Sequence, residues 1–164
     1  MAHLWLIGMM GTGKTTIGVL VAEQLQRPFV DLDTQVMVAT GRTIPELFSE
    51  GEEVFRDAES AALVEASRGP ASVISTGGGA VLAKKNLEAM RTTGVTVLLR
   101  ASPDTIMNRI ADGPDRPLAH SKDAIAAIAD LRNAVYLEAA DHAVDTEGKD
   151  PHAVAEEVLA CVAM

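Results

Sequence analysis

A single cysteine, a shortage of basic residues and the lack of a long apolar run set the first limits on this chain of 164 residues. One thiol, Cys161, excludes a framework of disulfides and fits a reducing compartment. It shares a helical face with Val154 and Val158, so it is expected to be a small core hydrophobe. Only 14 Lys and Arg stand against 23 Asp and Glu, a formal net charge of -9, with no basic block. Neutralising nucleic-acid phosphates takes clustered Lys and Arg, so nucleic acid is not an expected partner. The apolar run near the N-terminus, "LWLI", is short, has no basic flank and leads straight into glycines. It reads as a strand, not as a signal peptide or membrane span. No membrane partner is expected, and the cytoplasm is the default location.

What is present is an ordinary globular balance, 48% hydrophobic and 23% charged. The length suits one domain, residues 1–164, and neither repeats nor a linker interrupt it. Strand patterns occur at "HLWLI", "PFVDLD", "ASVIS", "VTVLL" and "HAVDT". Helical spacing runs through Ile17, Val21 and Leu25, through "TQVMVAT" with Asp33 as cap and Gly41 as stop, and through "TIPELFSE", where Thr43 and Glu46 have capping-box spacing. "EEVFRDAESAALVEAS" is amphipathic, Ser102 caps "SPDTIMNRIA", Ile125, Ile128 and Leu131 mark another helix, and Pro151 opens the last. Alternating strands and helices predict an α/β fold, a five-stranded parallel sheet flanked by helices on both faces. "DGPDRPLAHSK" breaks the periodicity and reads as a loop, with a lid at about residues 112–122.

The pattern Gly8-x-x-x-x-Gly13-Lys14-Thr15 sits between a strand and a helix, the context of a P-loop. Glycines let backbone N–H groups turn inward around an anion, and the following helix N-terminus adds positive potential. Gly11, Thr12, Gly13, Lys14, Thr15 and Thr16 are therefore candidate ATP-binding residues. Lys14 can reach the β- and γ-phosphates, and the Thr15 hydroxyl can ligate Mg²⁺, the expected cofactor.

Four features address the phosphate acceptor. Asp31 and Asp33 lie two apart in "FVDLD" and on a strand would face the same side, one holding metal-bound water and the other orienting a hydroxyl. Asp33 could instead merely cap a helix. Arg56 and Glu59 are one helical turn apart, which on its own reads as a solvated ion pair. Gly77, Gly78 and Gly79 permit close backbone approach to a ligand, or form a flexible turn. Arg116 lies in the expected lid, where it could supply charge over phosphates or be incidental, and Arg132 follows on the next helix.

In this order, "GMMGTGKTTIG", "FVDLD", "GEEVFRDAE", "STGGGAV", "RPL", "RNAVYLEAAD" and "VDT" closely resemble the shikimate kinase family of P-loop small-molecule kinases. The resemblance implies transfer of the ATP γ-phosphoryl to the 3-hydroxyl of shikimate, with Mg²⁺, in aromatic amino-acid biosynthesis. By motif it makes Lys14, Asp33 and Arg116 catalytic, with Asp33 binding the reacting hydroxyl. Thr15 would serve the metal directly and Asp31 through water. Arg56, Arg132 and Gly77 to Gly79 would hold shikimate. Arg109, seven residues before Arg116, would stack on adenine, and the loop from Glu147 to Pro151, with Lys149, would wrap the base. ATP and shikimate are the expected partners and a monomer the expected state. The competing expectations are a kinase for another polyol acid, such as gluconate, and a nucleotide-binding module without turnover.

Overall fold

The computed structural model of the chain describes residues 2–110 and 121–163. Most of the expected lid, including Arg116, lies outside the described residues. Five strands, β1 (His3–Ile7), β2 (Phe29–Asp31), β3 (Val73–Ser75), β4 (Gly94–Arg100) and β5 (His142–Asp145), form one sheet in the order β2-β3-β1-β4-β5. All four pairings are parallel. Side chains alternate across β1: Trp5 and Ile7 join Leu32, Leu63, Ile74 and Met90 on one face, while Leu4 and Leu6 join Val21, Val97, Val154 and Val158 on the other. Helices α1 (Lys14–Leu25) and α8 (Pro151–Val162) cover the second face. The first is covered mainly by α2 (Leu32–Thr40), α4 (Glu52–Ser67), α5 (Lys84–Thr93) and α7 (Lys122–Ala139).

This order fixes where a ligand can bind. From β1 the chain crosses toward β2, whereas from β3 it crosses back to β4 on the far side of β1. The two connections therefore diverge above the neighbouring carboxyl ends of β1 and β3, where open α/β sheets leave a crevice. The P-loop leaves β1 there, and the triple glycine leaves β3.

Several local signals act as expected. Thr43 and Glu46 form the capping box of α3 (Ile44–Glu50), and the Ser102 hydroxyl accepts the Thr105 N–H, 3.2 Å away, at the start of α6 (Pro103–Ile110). Others differ. β2 ends at Asp31, whose carboxylate caps α2 by accepting the Thr34 N–H at 3.2 Å. Asp33 is thus neither the cap nor on the strand but in the first turn of α2, because Leu32 must turn inward to the core. Leu131 is 81% exposed: six residues from Ile125 it has rotated off the buried face, which Arg132 and Tyr136 continue. Cys161 is half-buried at the margin of its cluster rather than within it, with its thiol pushed up by partial burial and by Glu157. Helix α5 and the 3-10 turn Ala80–Leu82 carry no side-chain cap, and so lacked a start signal in the sequence.

Gly94 opens β4 opposite His3, where a Cβ would sit 2.2 Å from the His3 carbonyl oxygen. Neither backbone can move without breaking the central strand pair. Gly94→Ala should therefore destabilise the fold by about 1–3 kcal/mol, measured as a lower urea midpoint at unchanged m-value.

Candidate active site

The P-loop is built by its glycines. Gly8, Gly11 and Gly13 have φ of 140°, 74° and 94°, in the region that penalises a Cβ, and at Gly8 a Cβ would also lie 2.4 Å from the Leu99 carbonyl oxygen. The Thr12 hydroxyl donates to the Met9 carbonyl at 2.8 Å, closing the turn. Lys14 is buried, and its ammonium donates to the carbonyls of Gly8 at 2.7 Å and Met9 at 2.8 Å. Gly13 precedes α1 without a side-chain cap, which leaves the first N–H groups of the helix for an anion. The Thr15 hydroxyl donates to Asp31 Oδ2 at 3.2 Å. Of these residues Gly11, Gly13, Lys14, Thr15 and Asp31 line a cavity of about 330 Å³, bordered also by Thr16, Asp33, Thr76, Gly77, Gly78 and Arg109.

A second, smaller cavity of about 70 Å³ adjoins it and shares Met10, Asp33, Gly77 and Gly78 with the first. Its other walls are Ile44, Phe48, Phe55, Arg56, Glu59, Gly79 and Arg132. Phe48 and Phe55 stack with centroids 4.5 Å apart, and the Arg56 guanidinium lies 5.2 Å from the Phe55 centroid. Arg56 donates to Glu59 Oε1 at 3.0 Å and to Glu52 Oε1 at 3.3 Å. With its side chain only 2% exposed, Glu59 makes this a buried pair rather than the solvated one its spacing suggested. Burial pushes the Glu59 carboxyl up from the ordinary carboxylate range, while the Arg56 guanidinium pulls it back.

Charged side chains press on two of the three glycines, Gly77 and Gly79. A Cβ at Gly77 would lie 2.6 Å from Glu59 Oε2, one at Gly78 3.4 Å from Arg132 Nη1, and one at Gly79 2.4 Å from both terminal nitrogens of Arg56. The turn is therefore a surface cut to fit charged side chains. Arg56 Nε, Glu59 Oε2 and Arg132 Nη1 are buried and have no hydrogen-bond partner among the described residues. Buried polar atoms are nearly always paired, so unused guanidinium donors beside an open cavity suit an anionic, oxygen-rich ligand.

Arg109 joins three elements: it donates to the Gly11 carbonyl at 3.2 Å and to Thr146 Oγ1 and O at 3.1 and 3.3 Å. Glu147 makes a second clamp on α6, accepting from the Ser102 N–H at 2.9 Å, the Ser102 hydroxyl at 3.1 Å and the Thr105 hydroxyl. Lys149 does not line the phosphate cavity; its ammonium lies 2.8 Å from Glu157 Oε1. Sequence reasoning missed Met10, Phe48 and Phe55 as site residues. The two phenylalanines flank Gly51 on separate helices, so only the fold brings their rings together.

A family model described as shikimate kinase matches residues 10–163. A shikimate kinase of Pseudomonas syringae is 40% identical over 99% of this chain and 97% of its own length. The structure of the shikimate kinase from Acinetobacter baumannii in complex with shikimate superposes with a TM-score of 0.95 at 32% identity, covering 99% of this chain and 93% of that one. A gluconokinase from Sinorhizobium meliloti has a TM-score of 0.65 at 19% identity over 99% of this chain and 91% of that one, a similarity of fold alone.

The hydrogen bonds to Glu147 from Ser102 and Thr105 hold its carboxyl below the usual carboxylate range, the backbone bond from Ser102 contributing most. A depressed folded-state value stabilises the fold above the unfolded value, and the effect is lost as pH falls through the folded one. Glu147→Gln should accordingly have a lower Tm than the wild type at pH 7, and the gap should close on acidification below the ordinary Glu range.

Proposed function

The chain belongs to the shikimate kinase family, and from that membership we propose how its own residues divide the work. The enzyme transfers the γ-phosphoryl of ATP to the 3-hydroxyl of shikimate, giving shikimate 3-phosphate and ADP. One observation carries the division of roles: Asp33 lines both cavities, one floored by phosphate-binding loop and the other walled by guanidinium groups.

In this proposal ATP lies along the P-loop, its phosphates on the N–H groups of residues 11–16 and on Lys14, which exchanges carbonyl partners for phosphate oxygens. Arg109 and the segment from Glu147 to Pro151, including Lys149, border the base. Shikimate places its carboxylate against Arg56 and Arg132 and its ring on the turn from Gly77 to Gly79. Asp33 accepts the proton of the attacking hydroxyl as the new O–P bond forms and the bond to the ADP oxygen breaks. The Thr15 hydroxyl and the Asp31 carboxylate, 3.2 Å apart, are hard oxygen donors that fit Mg²⁺, Thr15 directly and Asp31 through water. That ion, when bound, neutralises phosphate charge. Arg116, within the lid at about residues 112–122, is assigned the charge that develops during transfer. We further assign the enzyme to the cytoplasm as a monomer without nucleic-acid or membrane partners; among the described residues no helix is long and apolar enough to cross a membrane.

ADP release with Mg²⁺-ATP should require shikimate and should not be elicited by gluconate or quinate. Asp33→Asn should lower kcat by about 10²–10⁴-fold. ATP affinity, read by nucleotide titration, should change by less than about twofold, because the lost charge acts on the hydroxyl. Weakened ATP binding at unchanged kcat would reject the role given to Asp33.

A further inference from the structure

The turn that walls the acceptor cavity is held by three side-chain hydrogen bonds, one reaching out from Thr76 and two reaching in from Asn86 and Tyr136. Thr76 Oγ1 donates to the Leu6 carbonyl at 2.9 Å, and Asn86 Nδ2 donates to the Ala80 carbonyl at 2.9 Å. Between these anchors the Tyr136 hydroxyl donates to the Gly78 carbonyl. Of the three carbonyls held, only that of Gly78 belongs to a residue lining both cavities.

From this arrangement we infer that Tyr136 is a positioning residue for shikimate, locking the peptide between Gly78 and Gly79 with its carbonyl turned away from the acceptor and its N–H turned toward it. Tyr136 does not line the acceptor cavity; it borders a separate cavity of about 110 Å³ with Met9, Thr12 and Asn133. The Gly78 oxygen is thus drawn behind the wall. Across a planar trans peptide the N–H points opposite to the C=O, so with the Gly78 carbonyl on Tyr136 the Gly79 N–H points away from that hydroxyl. Consecutive glycines tolerate either orientation of this peptide. Without the hydroxyl, the peptide is free to rotate and present a carbonyl oxygen to an anionic acceptor. Arg132 lies one turn before Tyr136 on the same buried face of α7, so one helix sets both the guanidinium and the amide. Burial pushes the phenol up, and the Arg132 guanidinium opposes this only in part, so the hydroxyl keeps its proton and remains a donor near neutral pH.

Because the inference rests on shikimate as the acceptor, wild-type turnover of shikimate in the same assay secures that point separately. Tyr136→Phe keeps the ring and removes the donor. It should raise KM for shikimate about three- to tenfold, the range for one lost hydrogen bond, with KM for ATP within about twofold. A lower Tm with both KM values unchanged makes the bond merely structural and overturns the inference, as does an equal rise for both substrates. A measurement free of folding defects is also open, because Tyr136 is the only tyrosine in the chain. With ring-¹³C tyrosine in the wild-type protein, saturating shikimate should shift the single set of ring signals; unshifted signals overturn the inference.

Discussion

The smaller cavity, where the proposal places the acceptor, depends on an ion pair lying against a backbone without side chains. Arg56 and Glu59 are close enough to bond because they are one turn apart on α4, and Glu59 is buried, with Arg56 half-buried beside it, because Gly77 and Gly79 let them approach the turn after β3. A charge in such a place is costly unless its partner is present. Glu59 therefore does more than balance Arg56: its carboxylate and the two phenylalanine rings leave the guanidinium a narrow choice of direction. The upward displacement of the Glu59 carboxyl records the cost of that burial. Folding stability is reduced by keeping the carboxylate ionised there, and what it secures is a fixed arginine.

The sheet order explains why this pair meets the P-loop at all. Strands β1 and β3 are neighbours in register, with Leu6 opposite Ser75, so the loops that follow them rise side by side. One loop must curl around phosphate and needs left-handed glycines; the other must lie flat under charged side chains and needs glycines for space. The same residue type thus answers two different physical demands a few ångströms apart. Asp33 reaches both cavities because β2 stops early and α2 starts at Leu32, which turns the carboxylate back over the sheet edge.

How much of this could be read beforehand follows from the range of each interaction. The P-loop, the capping box at Thr43 and the helix of residues 52–67 are local patterns, and each was legible in the sequence. The character of the Arg56–Glu59 pair was not, because spacing gives proximity but says nothing about water, and only packing against Gly77 and Phe55 removes it. Asp31 and Asp33 were recognised together for an incorrect geometric reason: extended chain would align them, whereas the helix turn between them still delivers both to one cavity. Leu131 misled because three apolar residues at spacings of three look like a stripe until the drift of the helix carries the third to solvent. Helix α5 has no capping residue to announce it.

Charge distribution poses the last constraint. A chain of net charge -9 repels both of its anionic substrates at long range, although salt limits that repulsion to about 8 Å at physiological ionic strength. In the proposed division of roles, capture depends on cations already in place in the two cavities. Lys14 is tied to loop carbonyls, Arg109 to Gly11 and Thr146, and Arg56 to two glutamates. None needs to surrender side-chain freedom when a ligand arrives, because folding has already fixed it. The acidic exterior favours solubility, while the ordered cations supply affinity only where phosphate and carboxylate must be brought together. Such a division requires that each cation be held by groups weaker than the ligand that replaces or joins them. Neutral carbonyls around Lys14 meet that condition, whereas Arg56 keeps its two glutamates and has only its unused Nε edge to offer.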